Sequence, residues 1–500
     1  MSEPTDEARQ IDDDVKTLHG MGYAQELLRR MSGFSNFAIS LSIICILAGG
    51  VTTFHLALCS VGGAAIGLGW PLVCLYSLCV AVTMGQLASA FPTAGGLYHW
   101  ASILGGKGWG WATAWFNLAG LITVLTAINA GLYLFLRVPI GALLGLEPPD
   151  PDPEMGDLLV QVLAVGLITA SQAIFNHLGI RVVTLLTDFS GYWIMFFAIV
   201  LTVAALAYAP HPDPIELIRF KNYYSGPVGK VWPETDSIVW LFALGFLLPA
   251  YTVSGFDASA HTSEETVGAA IHVPRGIVRS VLVSGVFGWV MLSALIVAIP
   301  DMDRAAATGD SAFHTIMDDL FPPGLKIALY IGLGIAQYLC GLATVTSASR
   351  MAFAFARDGG LPFSSILRQV SGVYRTPPFA IWMVAIASVL FAVYTPVYST
   401  IITVCTIFLY LSYIIPTALG FFAHGRSWTR MGPWHVGQLY RPLALVCVAG
   451  GGLLIGIGMA PPNAKAIWVV AGSALVLSVV WFAWERRRFR GPPQRGDETV

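Results

Sequence analysis

Along the 500-residue chain, polar positions gather into short islands that separate long apolar runs. Each run is about 20 residues long, the length a helix needs to cross a hydrocarbon core of roughly 30 Å. Twelve are present, at 35–59, 66–90, 110–136, 158–178, 183–208, 238–261, 276–300, 325–350, 379–395, 399–422, 443–460 and 466–484. They predict an all-α integral membrane protein with twelve transmembrane helices. Two of the runs are interrupted, the first at Ala48-Gly49-Gly50 and the sixth at Tyr251-Thr252-Val253-Ser254-Gly255-Phe256-Asp257. Unwound backbone at membrane depth leaves N–H and C=O groups without partners, so it persists only where it is buried in protein or lines a watery cavity. Paired breaks in corresponding helices of two halves mark the substrate site of a transporter.

Helices 1–5 and 6–10 each begin with an interrupted helix. Five is odd, so two such units in tandem enter the membrane from opposite sides and any repeat between them is inverted. The expected organisation is a polar amino-terminal segment (1–34), a first half (35–208), a second half (238–422), helices 11 and 12 (443–484) and a tail (485–500). The external loops are short except for 137–157, with its Pro148-Pro149-Asp150-Pro151-Asp152-Pro153 run, 209–237 and 301–324. None has room for a soluble domain.

Composition agrees: 56% of residues are hydrophobic, 11% are charged and the mean hydropathy is +0.70, which excludes an ordinary soluble domain. The start is polar and acidic (Asp12-Asp13-Asp14) with no short apolar stretch behind basic residues, so helix 1 is expected to be the insertion signal rather than a cleaved peptide. With that segment inside, the 27 Lys and Arg residues divide 20 inside to 7 outside, which places both termini in the cytoplasm and the protein in the cell membrane. All seven cysteines fall in apolar runs, without metal-ligand spacing or a disulfide framework. The basic cluster Arg486-Arg487-Arg488 reads as an anchor to lipid headgroups rather than to nucleic acid.

Two carboxylates lie inside the apolar runs, Asp188 and Asp257. A central Asp costs roughly 2.5–3.5 kcal/mol to insert, so such a residue faces the bundle interior with a partner or a task. Asp257, beside the second break, reads as functional, with a cap on the unwound segment as the structural alternative. Asp188 is close to Asn176, His177 and Arg181, and a structural ion pair is as good a reading as coupling. Gly49 and Gly50 let backbone N–H groups approach a carboxylate, although small residues also mark close helix packing. Free carbonyls near Thr252 to Ser254 offer acceptors to an ammonium group, with Tyr251 and Phe256 as aromatic walls. Asn117 is a further polar candidate in helix 3. His261-Thr262-Ser263-Glu264-Glu265 lacks the second histidine of a zinc helix and reads as a helix end and gate, its acids pairing with Arg350 or Arg357.

The runs GFSNFAISLSIICILAGGVTTF (33–54), FPTAGGLYHWASIL (91–104), YTVSGFDASAHTSEET (251–266), PRGI (274–277) and SASRMAFAFARDGGLP (347–362) resemble the amino acid–polyamine–organocation superfamily. Within it they are most similar to the amino acid/choline branch, which includes GABA permeases and bidirectional amino acid transporters. The resemblance spans roughly residues 17 to 485. It implies a leucine-transporter-like fold, a five-plus-five inverted repeat with broken helices 1 and 6, working by alternating access. It also implies substrate contacts from Ala48, Gly49, Gly50, Val51, Asn117, Tyr251, Thr252, Ser254 and Gly255, with Asp257 beside them. Thr344, Thr346 and Ser347 fall where sodium-coupled members of the fold help to bind the ion.

Two departures bear on coupling. The stretch Tyr192-Trp193-Ile194-Met195 lacks the helix 5 lysine of many proton-coupled relatives, and Gln86 stands where relatives commonly carry a glutamate. Asp257 and Asp188 remain as titratable groups, and the coupling ion, H⁺ or Na⁺, stays open; no other cofactor is expected. The leading reading is a transporter for a GABA-like zwitterion, with choline, ethanolamine or a polyamine as the alternative and a membrane sensor or channel behind them. No catalytic motif of an intramembrane enzyme and no Walker motif is present. Expected partners are the amino acid or amine and the lipid bilayer, with the protein as a monomer or homodimer.

Overall fold

A computed structural model describes residues 6–144, 155–223, 231–394, 398–461 and 463–493. The proline-rich run Pro148–Pro153 lies outside the described residues, as does most of the tail beyond Pro493. Ten helices are long and apolar enough to cross a membrane, and two shorter apolar ones complete the twelve. They are α1 (Gly33–Ile44, resuming as Gly49–Thr52 and Phe54–Val61), α2 (Ala65–Ala90), α3 (Lys107–Leu144), α4 (Met155–His177), α5 (Ile180–Tyr208) and α6 (Ile238–Thr252, resuming as Ala258–His261). Then come α7 (Ala269–Ala298), α8 (Pro323–Arg357), α9 (Pro378–Tyr394), α10 (Tyr398–Ala423), α11 (Tyr440–Gly458) and α12 (Lys465–Val480).

The packing has the form of an inverted repeat. Exchanging each of α1–α5 with its counterpart five helices later maps contacts onto contacts: α3 on α10 becomes α8 on α5, and α1 on α7 becomes α6 on α2. The pairs α2–α7, α3–α8 and α4–α9 map onto themselves. Helices α1, α3, α8 and α10 form the interior, whereas α4, α5 and α12 turn large apolar side chains outward. Leu167 at 74%, Leu185 at 71% and Trp468 at 77% exposure mark a surface matched to lipid rather than to water.

Several expectations are corrected. The first break falls earlier, at Cys45–Ala48, and Gly49-Gly50 begin the next turn instead of being unwound themselves. Helices α3 and α8 run to Leu144 and Arg357, beyond the expected 136 and 350. The stretch 301–324 is not an open loop, since it folds into Met302–Ala307 and Ala312–Leu320, the first capped by the Asp301 side chain accepting from the Arg304 N–H at 3.0 Å. The amino-terminal segment carries a helix of its own, Asp6–His19.

Candidate functional site

The two breaks face each other and enclose a narrow cavity. Ile43, Ile44, Ala48, Gly49 and Thr52 of α1, and Tyr251, Thr252 and Ser254 of α6, line two sides. Val124 and Ile128 of α3 and Gln337 and Cys340 of α8 close the others. Of the residues expected from the sequence, Ala48, Gly49, Tyr251, Thr252 and Ser254 therefore line the cavity, whereas Gly50, Val51, Asn117, Gly255 and Asp257 do not. No charged side chain reaches it among the described residues.

Backbone geometry shapes this space. At Gly49 a Cβ would stand 2.9 Å from Thr252 Oγ1 and 3.0 Å from its Cα, so only glycine lets the two broken helices approach this closely. Gly255 takes φ +83°, where the chain turns from Ser254 toward Asp257. The Ala48 and Gly49 N–H groups donate to the Cys45 carbonyl at 2.9 and 3.0 Å, and Gly50 donates to Ile46 at 3.1 Å, so these three amides are already engaged. Backbone groups without a hydrogen bond among the described residues occur at both breaks: the Ile46, Leu47 and Val51 amides and the Ile44 and Leu47 carbonyls on α1, and the Ser254 amide and the Val253 and Ser254 carbonyls on α6. Thr252 Oγ1 is buried without a partner. Unpaired backbone donors and acceptors at both breaks flank a space with no charged side chain.

Asp257 sits behind the cavity, fully buried at the start of the resumed α6. Its Oδ1 accepts from the Tyr413 hydroxyl at 2.8 Å; its Oδ2 accepts from Asn117 Nδ2 at 2.8 Å and lies 3.2 Å from His261 Nε2. Tyr413 OH in turn accepts from the Gly255 N–H at 2.9 Å, tying the carboxylate to the unwound segment.

Each end of the cavity is closed. Toward the face that carries the amino terminus, Glu265 and Arg350 form a bidentate pair at 3.0 and 3.1 Å, both fully buried. Beside it Arg357 grips both oxygens of Glu264 at 2.9 and 2.8 Å. The amino-terminal segment wraps this pair: Arg357 stacks 3.9 Å over the Tyr23 ring, Gln25 donates to the Glu264 carbonyl at 2.8 Å, and Arg29 donates to the carbonyls of Ser263 and Thr266. Tyr23 and Tyr98 both donate to Asp358 Oδ2 at 2.8 Å. Toward the opposite face, Phe54 meets Phe313, and Phe135 packs on Phe313, His314 and Tyr330. A single hydrogen bond of 2.7 Å joins His314 Nδ1 and the Tyr330 hydroxyl there.

The remaining ion-coupling candidates do not converge. Asp188 makes no ion pair with Arg181 or His177 among the described residues; it accepts from Ser35 of α1 at 3.1 Å. Thr344 donates to its own helix at the Cys340 carbonyl, Thr346 turns away to Asn176 of α4 at 2.7 Å, and Ser347 Oγ is buried unpaired. Sequence reasoning missed Tyr413, Gln337, Tyr23 and Arg29. The two in the spans sit in apolar helices without a polar pattern, and the other two lie in a polar segment that looks unstructured until it meets the loop after α6.

A cavity between two unwound helices of an inverted repeat, closed at both ends within a lipid-facing shell, defines a membrane transporter. The chain belongs to the amino acid permease family, whose family model matches residues 31–483. It is 29% identical to the amino-acid permease BAT1 of Arabidopsis thaliana over 96% of both chains. It is 30% identical to the BAT1 homolog of Oryza sativa, over 95% of this chain and 94% of that one. A GABA-specific permease of Saccharomyces cerevisiae is 27% identical over 88% of this chain and 76% of its own length. These relatives are permeases, not enzymes, and the protein is a transporter of amino acids or related amines.

Proposed function

We propose that the protein carries a small zwitterionic amino acid, with GABA as the first candidate, by alternating access between the two faces. One observation carries the choice of a zwitterion: the cavity is lined without a charged side chain, while both unpaired amides and unpaired carbonyls of the two breaks flank it. A purely cationic amine needs a carboxylate within contact range, and Asp257 is enclosed by Asn117, Tyr413 and His261 instead. The ionic end, with both termini, faces the cytoplasm, and the cell membrane is the site of action. The Glu264–Arg357 and Glu265–Arg350 pairs open in one state and close in the other. A monomer contains the whole pathway.

Counterflow in proteoliposomes tests this reading, because exchange needs no driving force. Vesicles loaded in turn with GABA, neutral amino acids, choline or putrescine are expected to take up labelled GABA or a neutral amino acid only when one of these is inside. Exchange confined to choline or putrescine would overturn the zwitterion reading and support an amine carrier.

A further inference from the structure

His261 has two ring nitrogens with unlike neighbours, and together they fix a proton. Nδ1 lies 3.0 Å from the Ala94 carbonyl, which only accepts, so Nδ1 carries a hydrogen. Nε2 lies 3.2 Å from Asp257 Oδ2, and that contact also needs a hydrogen, on the ring as an imidazolium or on the carboxyl as an acid. In either form the pair holds one proton more than a carboxylate beside a neutral imidazole. Without that proton, a lone pair on Nε2 would face a carboxylate, and a full negative charge would stand in a fully buried site.

The surroundings supply no substitute charge. On α10 the titratable neighbour is Tyr413, which donates to Asp257; α3 offers the neutral Asn117 and α1 the neutral Asn36 and Ser40. From α8, Arg350 and Arg357 approach, each bound to its own glutamate, and α7 turns Gly276 toward Ser259. In the segment after α2, His99 faces Tyr23 and Tyr98 faces Asp358. No guanidinium or ammonium group contacts Asp257 among the described residues.

We propose that Asp257 and His261 jointly bind the proton that couples transport, linked by hydrogen bonds to the cavity on one side and to the ionic gate on the other. The proposal rests on the transporter reading above. The link to the cavity is Tyr413, which bridges Asp257 and the Gly255 N–H next to Ser254. The link to the gate is the residue Ala94: its carbonyl accepts from His261, and its N–H donates to Glu264 Oε1 at 3.0 Å, the same oxygen that Arg357 holds. Release of the proton to water turns Nε2 and Oδ2 from partners into repelling neighbours. That repulsion displaces the ring, frees the Ala94 carbonyl and loosens the Glu264 end of the gate.

The test uses the full-length protein in proteoliposomes with GABA as probe and a pH-sensitive dye inside. An inside-alkaline gradient of about one pH unit drives roughly tenfold accumulation if one proton accompanies each substrate. The wild type is expected to accumulate GABA and acidify the lumen, whereas His261→Gln brings GABA only to equal concentrations, without a dye signal, while counterflow continues. Accumulation and acidification by His261→Gln at the wild-type level would overturn the proposal, as would accumulation by the wild type on a sodium gradient with no proton movement. Tyr413→Phe provides a second reading should the first variant not fold. This variant removes a donor to the carboxylate and should move the pH profile of exchange, and an unchanged pH profile would overturn the pair as the proton site. Lack of exchange of every amino acid and amine by the wild type would instead overturn the transporter reading on which the pair depends.

Discussion

The two ends of the cavity are closed by different chemistry. At one end, four charged side chains from α8 and the loop after α6 form two buried bidentate pairs. At the other, Phe54 meets Phe313 edge to face, Phe135 packs tilted on Phe313 and Tyr330, and one hydrogen bond joins Tyr330 to His314. A buried ion pair is a poor source of net stability, because desolvation consumes most of the attraction, but it is intolerant of half-measures: each partner without the other is costly. Aromatic contacts are graded, each worth about 0.5–1.5 kcal/mol, and survive partial separation. On the proposed alternating-access reading, the ionic end would act as a two-state latch and the aromatic end as a compliant plug.

The largest predicted effect tests the latch. Glu265→Gln leaves the Arg350 guanidinium buried and unpaired, and the closed state should lose about 3–5 kcal/mol. Faster alkylation of a Ser254→Cys probe from the amino-terminal face would register this, and Glu265→Gln combined with Arg350→Gln should recover part of the loss. If the double variant is no better than the single one, the latch description fails. Gly49→Ala comes next, since its methyl group meets the Thr252 backbone at 3.0 Å, and overpacking of this kind costs about 1–3 kcal/mol. Belonging to neither end, it should slow counterflow from both faces alike; a one-sided effect would tie the breaks to a single gate. Tyr330→Phe removes only the hydrogen bond to His314, roughly 1 kcal/mol, and should raise probe accessibility from the opposite face alone.

Acidity gives the smallest effect and acts through a different group at each end. Burial by itself raises the Glu264 carboxyl, but Arg357, the Ala94 N–H and Arg29 outweigh it and hold the group below the ordinary glutamate value of 4.5. A carboxyl depressed in this way supports the closed arrangement above its unpaired value and loses that support as pH falls through the lower one. Accessibility from the ionic face should thus be flat from neutral pH down to about 4.5 and increase only below it. At the aromatic face burial holds the His314 imidazole down at about 4, so a response there should begin only near that pH. It should change in Tyr330→Phe, whereas the ionic-face response should not; equal sensitivity of both faces to that variant would remove the distinction.

Much of this architecture is legible in the chain. Apolar runs of membrane-spanning length give the twelve helices, and the odd number of spans in each half gives the inversion. The breaks are visible because glycine and serine cluster where a spanning helix should be smooth. Their register is less visible: Cys45 takes φ +24°, a conformation that no residue type announces, so unwinding begins there and not at Gly49. The pairing of Glu264 and Glu265 with the arginines of α8 was open as to which met which, because residues 85 and 93 positions apart acquire a register only through packing. The role of His261 is hidden for the same reason. Spacing places it one turn from Asp257, but its second partner is the Ala94 carbonyl, 167 positions away and invisible to any side-chain pattern. Asn117 stands out in the sequence as a polar residue within helix 3, yet its side chain donates to Asp257 and Ser412 and does not line the cavity.

The amino-terminal segment has a consequence for how the molecule can be governed. It belongs to neither five-helix half, yet Arg30 and Met31 both donate to the Glu265 carbonyl, Val267 donates back to Met31, and Asp14 accepts from the first amides of α7 at 2.7 and 3.2 Å. Opening on that face requires this strap to peel away, so its detachment free energy adds to that of the gate. By thermodynamic linkage, a kinase, lipid headgroup or fused tag that prefers the detached strap would shift the population of carriers open to that face by its difference in affinity for the two forms, and by no more than that. The carrier thus has a throttle remote from its cargo, reached through residues that never touch what is carried.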